Sequence, residues 1–137
     1  MAQMQTDRPG PMTVKTAKVI AECAFYTAKG LEQALGSREY FVSNQAMQFW
    51  LDRYSRSIRV AMRRETADWD GRDRNTVLAR CAMLGATTAS LAMESAPGNG
   101  MIEVTVDHAQ TAARRVARDK TCRAARLKAG AGGYCDY

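Results

Sequence analysis

A chain of 137 residues is long enough for one hydrophobic core and too short for two substantial ones. With 46% hydrophobic and 25% charged residues it is too apolar for a wholly disordered chain and too polar for a membrane protein, and no uncharged apolar run reaches the roughly 18 residues of a spanning helix. The start MAQMQTDRPGPM lacks the apolar stretch of a signal peptide, so the sequence predicts a cytoplasmic protein without a membrane partner.

Residues 1–12 carry Pro9, Gly10 and Pro11 without periodicity and read as a flexible leader. Thr13 is placed to cap a helix over Val14–Leu35, which Gly36 closes. Its expected buried face is Ala17, Ile20, Ala21, Ala24, Phe25, Ala28, Leu31 and Leu35, spaced by threes and fours. On the opposite arc, Lys18 and Glu22 stand one turn apart and are expected to pair. Residues 37–43 form a connection with some strand character, and Ser43 caps a second helix over Asn44–Arg64. Met47, Trp50, Leu51, Tyr54, Ile58, Ala61 and Met62 make its core arc, with Arg53, Arg56, Arg59, Arg63 and Arg64 on the other side. Phe49 and Val60 project among these arginines, as a contact patch or as a second packing surface.

The acidic turn around Asp68 and Asp70 ends that helix, and Asp73 or Asn75 is the expected cap of a third. From Thr76 to Met93 a single charge interrupts apolar residues on every side, which marks a buried central helix with Arg80 at its one wet edge. Ala96–Gly100 is a loop. Ile102–Asp107 alternates like a half-buried strand, for which Glu39–Val42 is the candidate partner. The favoured reading instead makes Thr105 the cap of a fourth helix entered through an extended lead-in. That helix runs to Lys128 on an alanine-rich stripe, its last two turns projecting because Lys120 and Arg123 break the stripe. Residues 129–137 form a flexible tail. The fold class expected is all-α, a single-domain bundle of about four helices over 13–128 with a buried central third helix.

The chemistry inventory points away from catalysis and cofactors. No nucleophile-elbow, phosphate-loop, dinucleotide or zinc-protease signature is present, and the acids near residue 70 suit a capped turn. The single histidine, His108, is expected at a surface or interface without a metal. Cys23, Cys81, Cys122 and Cys135 lack zinc spacing; Cys23 and Cys81 are expected as buried thiols in helical patterns. Charge is the informative feature. Of the net +6, all lies between Ala112 and Lys128, where seven bases face one acid. The function predicted is a non-catalytic nucleic-acid-binding accessory protein whose Arg114, Arg115, Arg118, Lys120, Arg123 and Arg126 contact phosphates. The alternative is an adaptor or inhibitor docking its arginines on an acidic protein surface, with Phe49, Arg53, Arg56 and Val60 at the contact and homo-oligomers possible.

Overall fold

The computed structural model describes residues 10–64, 71–96, 98 and 100–117. Among them run four helices, α1 (Val14–Leu35), α2 (Asn44–Arg64), α3 (Gly71–Ser95) and α4 (Val106–Ala117), with two short strands, β1 (Tyr40–Val42) and β2 (Ile102–Val104). The fold is an all-α bundle with α3 as its central helix, held between α1 and α4, while α2 closes the bundle by packing on α1 and α4. By length and composition the segment Arg74–Ser95 could cross a membrane, yet 56% of its apolar window is buried inside the fold, as in a core helix.

Local chemistry sets the element ends. Thr13 Oγ1 accepts from the Thr16 amide at 3.1 Å, and Ser43 Oγ from the Ala46 amide at 3.1 Å, each satisfying a donor left over at a helix start. Gly36 adopts φ 63° and donates to Glu32 O at 3.0 Å, ending α1 as the sequence predicts. Residues 102–104 do form a strand, which corrects the preference for a mere lead-in: β2 pairs in parallel with β1, Tyr40 opposite Ile102 and Val42 opposite Val104. The cap at Thr105 follows it directly, so both alternatives are realised in succession. Parallel pairing sets Ser43 and Thr105 side by side, so α2 and α4 leave the sheet from the same end. Arg38 fixes the preceding loop by donating to Gly98 O and Gly100 O at 3.0 and 3.1 Å.

The inward face of α1 differs from its apolar arc. Thr16, Val19, Ile20, Cys23, Thr27, Gly30, Leu31 and Leu35 are buried, whereas Ala17, Ala21, Phe25 and Ala28 are exposed. Close approach to α3 is the cause. A Cβ at Gly30 would overlap the Ala82 carbonyl oxygen, and one at Gly85 would overlap that of Thr27, so the two backbones touch where neither helix carries a side chain. This seam selects small and polar residues in place of large apolar ones. Thr27 Oγ1 lies 3.0 Å from Cys23 O, 3.1 Å from Cys81 O and against Tyr54 Oη, tying α1 to both α3 and α2. Burial pushes the Tyr54 phenol well above its usual range, against the smaller opposing effects of the Thr27 hydrogen bond and the Arg53 charge, so it stays a donor.

Four further expectations are corrected. Cys23 and Cys81 are buried but are not free thiols: they form a disulfide, with Cα atoms 5.3 Å apart, because the seam brings together positions that are 58 residues apart in sequence. Arg80 is no wet edge; it is buried at 7% exposure, with Nη1 3.4 Å from Met83 Sδ. Glu22 pairs with Arg74 across the seam instead of with Lys18. The third helix starts at Gly71, so Asp73 and Asn75 lie within it instead of capping it.

The contact at Gly85 sets the first prediction. Gly85→Ala adds about 1 kcal/mol of helix propensity, but it forces α3 off the α1 backbone. We expect a net loss of about 2 kcal/mol or more in a denaturant titration. Unchanged or increased stability would show that the helices do not meet there.

Candidate functional site

Helix α4 carries the described part of the basic segment, and its construction explains what it presents. Thr105 Oγ1 accepts from the His108 amide at 3.3 Å while His108 Nδ1 accepts from the Thr105 amide at 3.1 Å. This is a reciprocal cap in which histidine takes the place usually held by glutamate. An Nδ1 that accepts from an amide is unprotonated, so the hydrogen-bond network assigns the proton to Nε2, which donates to Ser95 Oγ at 3.1 Å. Ser95 in turn donates to Leu91 O at 3.1 Å. His108 thus joins the start of α4 to the end of α3. In this tautomer it does not act as a base on Ser95.

Ala109, Ala112, Ala113 and Val116 form the buried stripe of α4, and Arg114 and Arg115 point outward and are exposed. Small side chains let α4 lie close on its neighbours but bury little area, so the helix depends on its cap and on β2, whose Ile102 and Val104 are fully buried. Arg114 donates to Thr111 Oγ1 at 3.1 Å. Among the described residues neither Arg114 nor Arg115 has an acidic partner. Asp107 in the first turn and the two arginines in the last complement the helix dipole, which by itself accounts for their order along the helix.

The opposite end of α4 is acidic. A cavity of about 700 Å³ between α3, β2 and α4 is lined by Glu94, Glu103 and Asp107 together with His108, Ser95 and Thr105. Asp107 and Arg114 are seven residues apart, roughly 10 Å along the helix. An anion would therefore be repelled from the cavity and drawn to the arginine end. Among the described residues no group of histidine, cysteine and acidic side chains is arranged to hold a metal ion.

The other predicted contact residues lie on α2. Phe49 is half-buried against the core with the Arg53 guanidinium 5.8 Å from its ring centre; Val60 is half-buried and Arg56 exposed. Phe49 is packed on the core, so at that position α2 presents a packing surface. Arg59 is turned to the leader and donates to Gly10 O at 2.7 Å. Arg118, Lys120, Arg123 and Arg126 lie outside the described residues, as do residues 1–9, the tail and the last turns of the predicted fourth helix.

Sequence reasoning missed an apolar groove of about 200 Å³ between α1 and α2, lined by Ala24, Ala28, Leu31, Met47, Trp50 and Leu51 among others. Met47 and Leu51, assigned to the core arc, are exposed at 43% and 44%. Once Thr27 and Gly30 turn inward, the alanine face of α1 becomes a groove wall; only the position of the α1–α3 contact could have revealed this.

No family model, no curated protein and no solved structure matches the chain.

The cap sets the second prediction. Thr105→Ala removes the hydroxyl that satisfies the His108 amide, and the expected loss is about 0.5–2 kcal/mol in a denaturant titration. A loss under about 0.2 kcal/mol would mean that the α4 start is held by β2 alone.

Proposed function

We propose that the chain is a non-catalytic nucleic-acid-binding accessory protein that works in the cytoplasm, without a cofactor, and lays its basic C-terminal segment along a phosphate backbone. The observation that carries this reading is the pair Arg114 and Arg115, exposed and without acidic partners among the described residues, at the head of a segment with seven bases and one acid. Guanidinium groups suit this task because their forked donors match phosphate oxygens. Arg118, Lys120, Arg123 and Arg126 would continue the contact. Such binding is electrostatic and carries little base specificity.

A second reading keeps the arginines but directs them to an acidic protein surface, as an adaptor or inhibitor would. The groove between α1 and α2, with Met47 and Leu51 exposed on it, favours this reading because nucleic-acid backbones offer nothing apolar to fill it. Phe49, Arg53, Arg56 and Val60 are the α2 residues proposed at the acidic surface, on a face separate from the groove, which Met47, Trp50 and Leu51 line.

The two readings separate on mixed-sequence DNA and RNA. We expect affinity at about 50 mM salt that weakens steeply as salt rises. In the variant R114A/R115A the slope of log K against log salt should fall by about 0.7–0.9 per lost contact, equally for all sequences, with the fold retained. No affinity of the wild-type chain for either nucleic acid at that salt would remove the first reading and leave the second.

A further inference from the structure

We propose that the Cys23–Cys81 bond is a redox-gated lock on the α1–α3 seam, primed by a disulfide donor before the seam shuts, closed as it forms and out of reach of thiol reductants afterwards. The two Cα atoms stand 5.3 Å apart, inside the span that a disulfide bridges without moving backbone. Both residues are 0% exposed. Their carbonyl oxygens lie 3.0 and 3.1 Å from the same hydroxyl, Thr27 Oγ1, so one side chain fixes the backbone beside both sulfurs. Two turns past Cys23, Gly30 presses on the α3 backbone at Ala82, and one turn past Cys81, Gly85 presses on the α1 backbone at Thr27. A pair held in this way meets at high effective concentration whenever the seam forms, yet no small thiol reaches it without separating the helices.

Closure takes two exchange steps. The thiolate of one cysteine attacks a donor disulfide, such as oxidised glutathione, and expels one donor thiolate. The thiolate of the other then attacks the protein sulfur of the mixed disulfide, forming the Cys23–Cys81 bond and expelling the second. Two protons leave the cysteines, and two electrons pass to the donor, which ends as two thiols. The first attack needs a line of approach to a sulfur that the folded bundle encloses, so the mixed disulfide forms while α1 and α3 are still apart, and the second step closes the bond as the seam brings the two sulfurs together. Reduction retraces the same path and requires the same opening. The cross-link closes a loop between positions 58 residues apart and thereby restricts the unfolded chain. Stability then records the redox conditions at the time of folding, and burial keeps the bond intact in a compartment where exposed disulfides are reduced.

The test uses the full chain refolded in a glutathione redox buffer, then exposed to dithiothreitol and trapped with iodoacetamide, with labelling at Cys23 and Cys81 read by peptide mass spectrometry. In native buffer both cysteines should label at least about a hundredfold more slowly than in guanidinium, because attack must wait for opening. Protein refolded in reductant should melt about 5–15 °C lower than the oxidised form. Equal labelling rates in the two buffers, labelling before any reductant is added, or identical melting temperatures would each overturn the proposal.

Discussion

The contact between the backbones of α1 and α3 constrains the rest of this bundle. Gly30 and Gly85 let the helices touch, and that distance determines what else the seam holds. Hydroxyl-bearing Thr27 takes the place of a large apolar residue, because a small group fits there whose one proton is shared between two nearby carbonyl oxygens. Tyr54 on α2 reaches the same hydroxyl, so three helices share one buried polar point. The disulfide is a further consequence of that distance. With α1 and α3 so close, the remaining apolar surface of α3 faces α4, where alanines and Val116 let a short helix settle on it.

How much of this was legible follows from which forces are local. Caps at Thr13 and Ser43, the stop at Gly36 and the bounds of α1 and α2 depend on residues within one turn of each other, and reading them in order recovers them. The central place of α3 is equally legible, since a helix with one charge in eighteen residues has no side that favours water. The rotation of α1 was not. An amphipathic arc counts alanines and Phe25 as apolar, but the seam selects by size, and Thr27 and Gly30 win the buried positions. Pairing of Cys23 with Cys81 and of Glu22 with Arg74 depends on long-range contacts that no local pattern announces, whereas the partner of β2 was legible as the less favoured alternative, because residues 39–42 were the one other segment with strand character. In the candidate site, the outward direction of Arg114 and Arg115 followed directly from the alanine stripe beneath them. The acidic cavity beside His108 did not, because it is assembled from three separate elements.

Functionally the molecule is built as a rigid half and a lightly held half. The α1–α3 seam has touching backbones, a cross-link and a shared polar centre, whereas α4 is attached by small side chains, a threonine–histidine cap and one three-residue strand. In the proposed binding role, a basic helix attached in this way would adjust to a polyanion without disturbing the core, at the cost of modest independent stability. Charge follows the same division. Acidic groups gather where α4 begins, against the body, and exposed arginines without acidic partners among the described residues stand in its last described turn.

Native-state hydrogen exchange across a denaturant series tests this division most directly. The account predicts that amides at 27–31 and 82–86 exchange only through global unfolding, while amides of α4 open at a distinctly lower free energy. Seam amides that exchange through a smaller opening than those of α4 would contradict it, and would move the foundation of the fold away from Gly30 and Gly85.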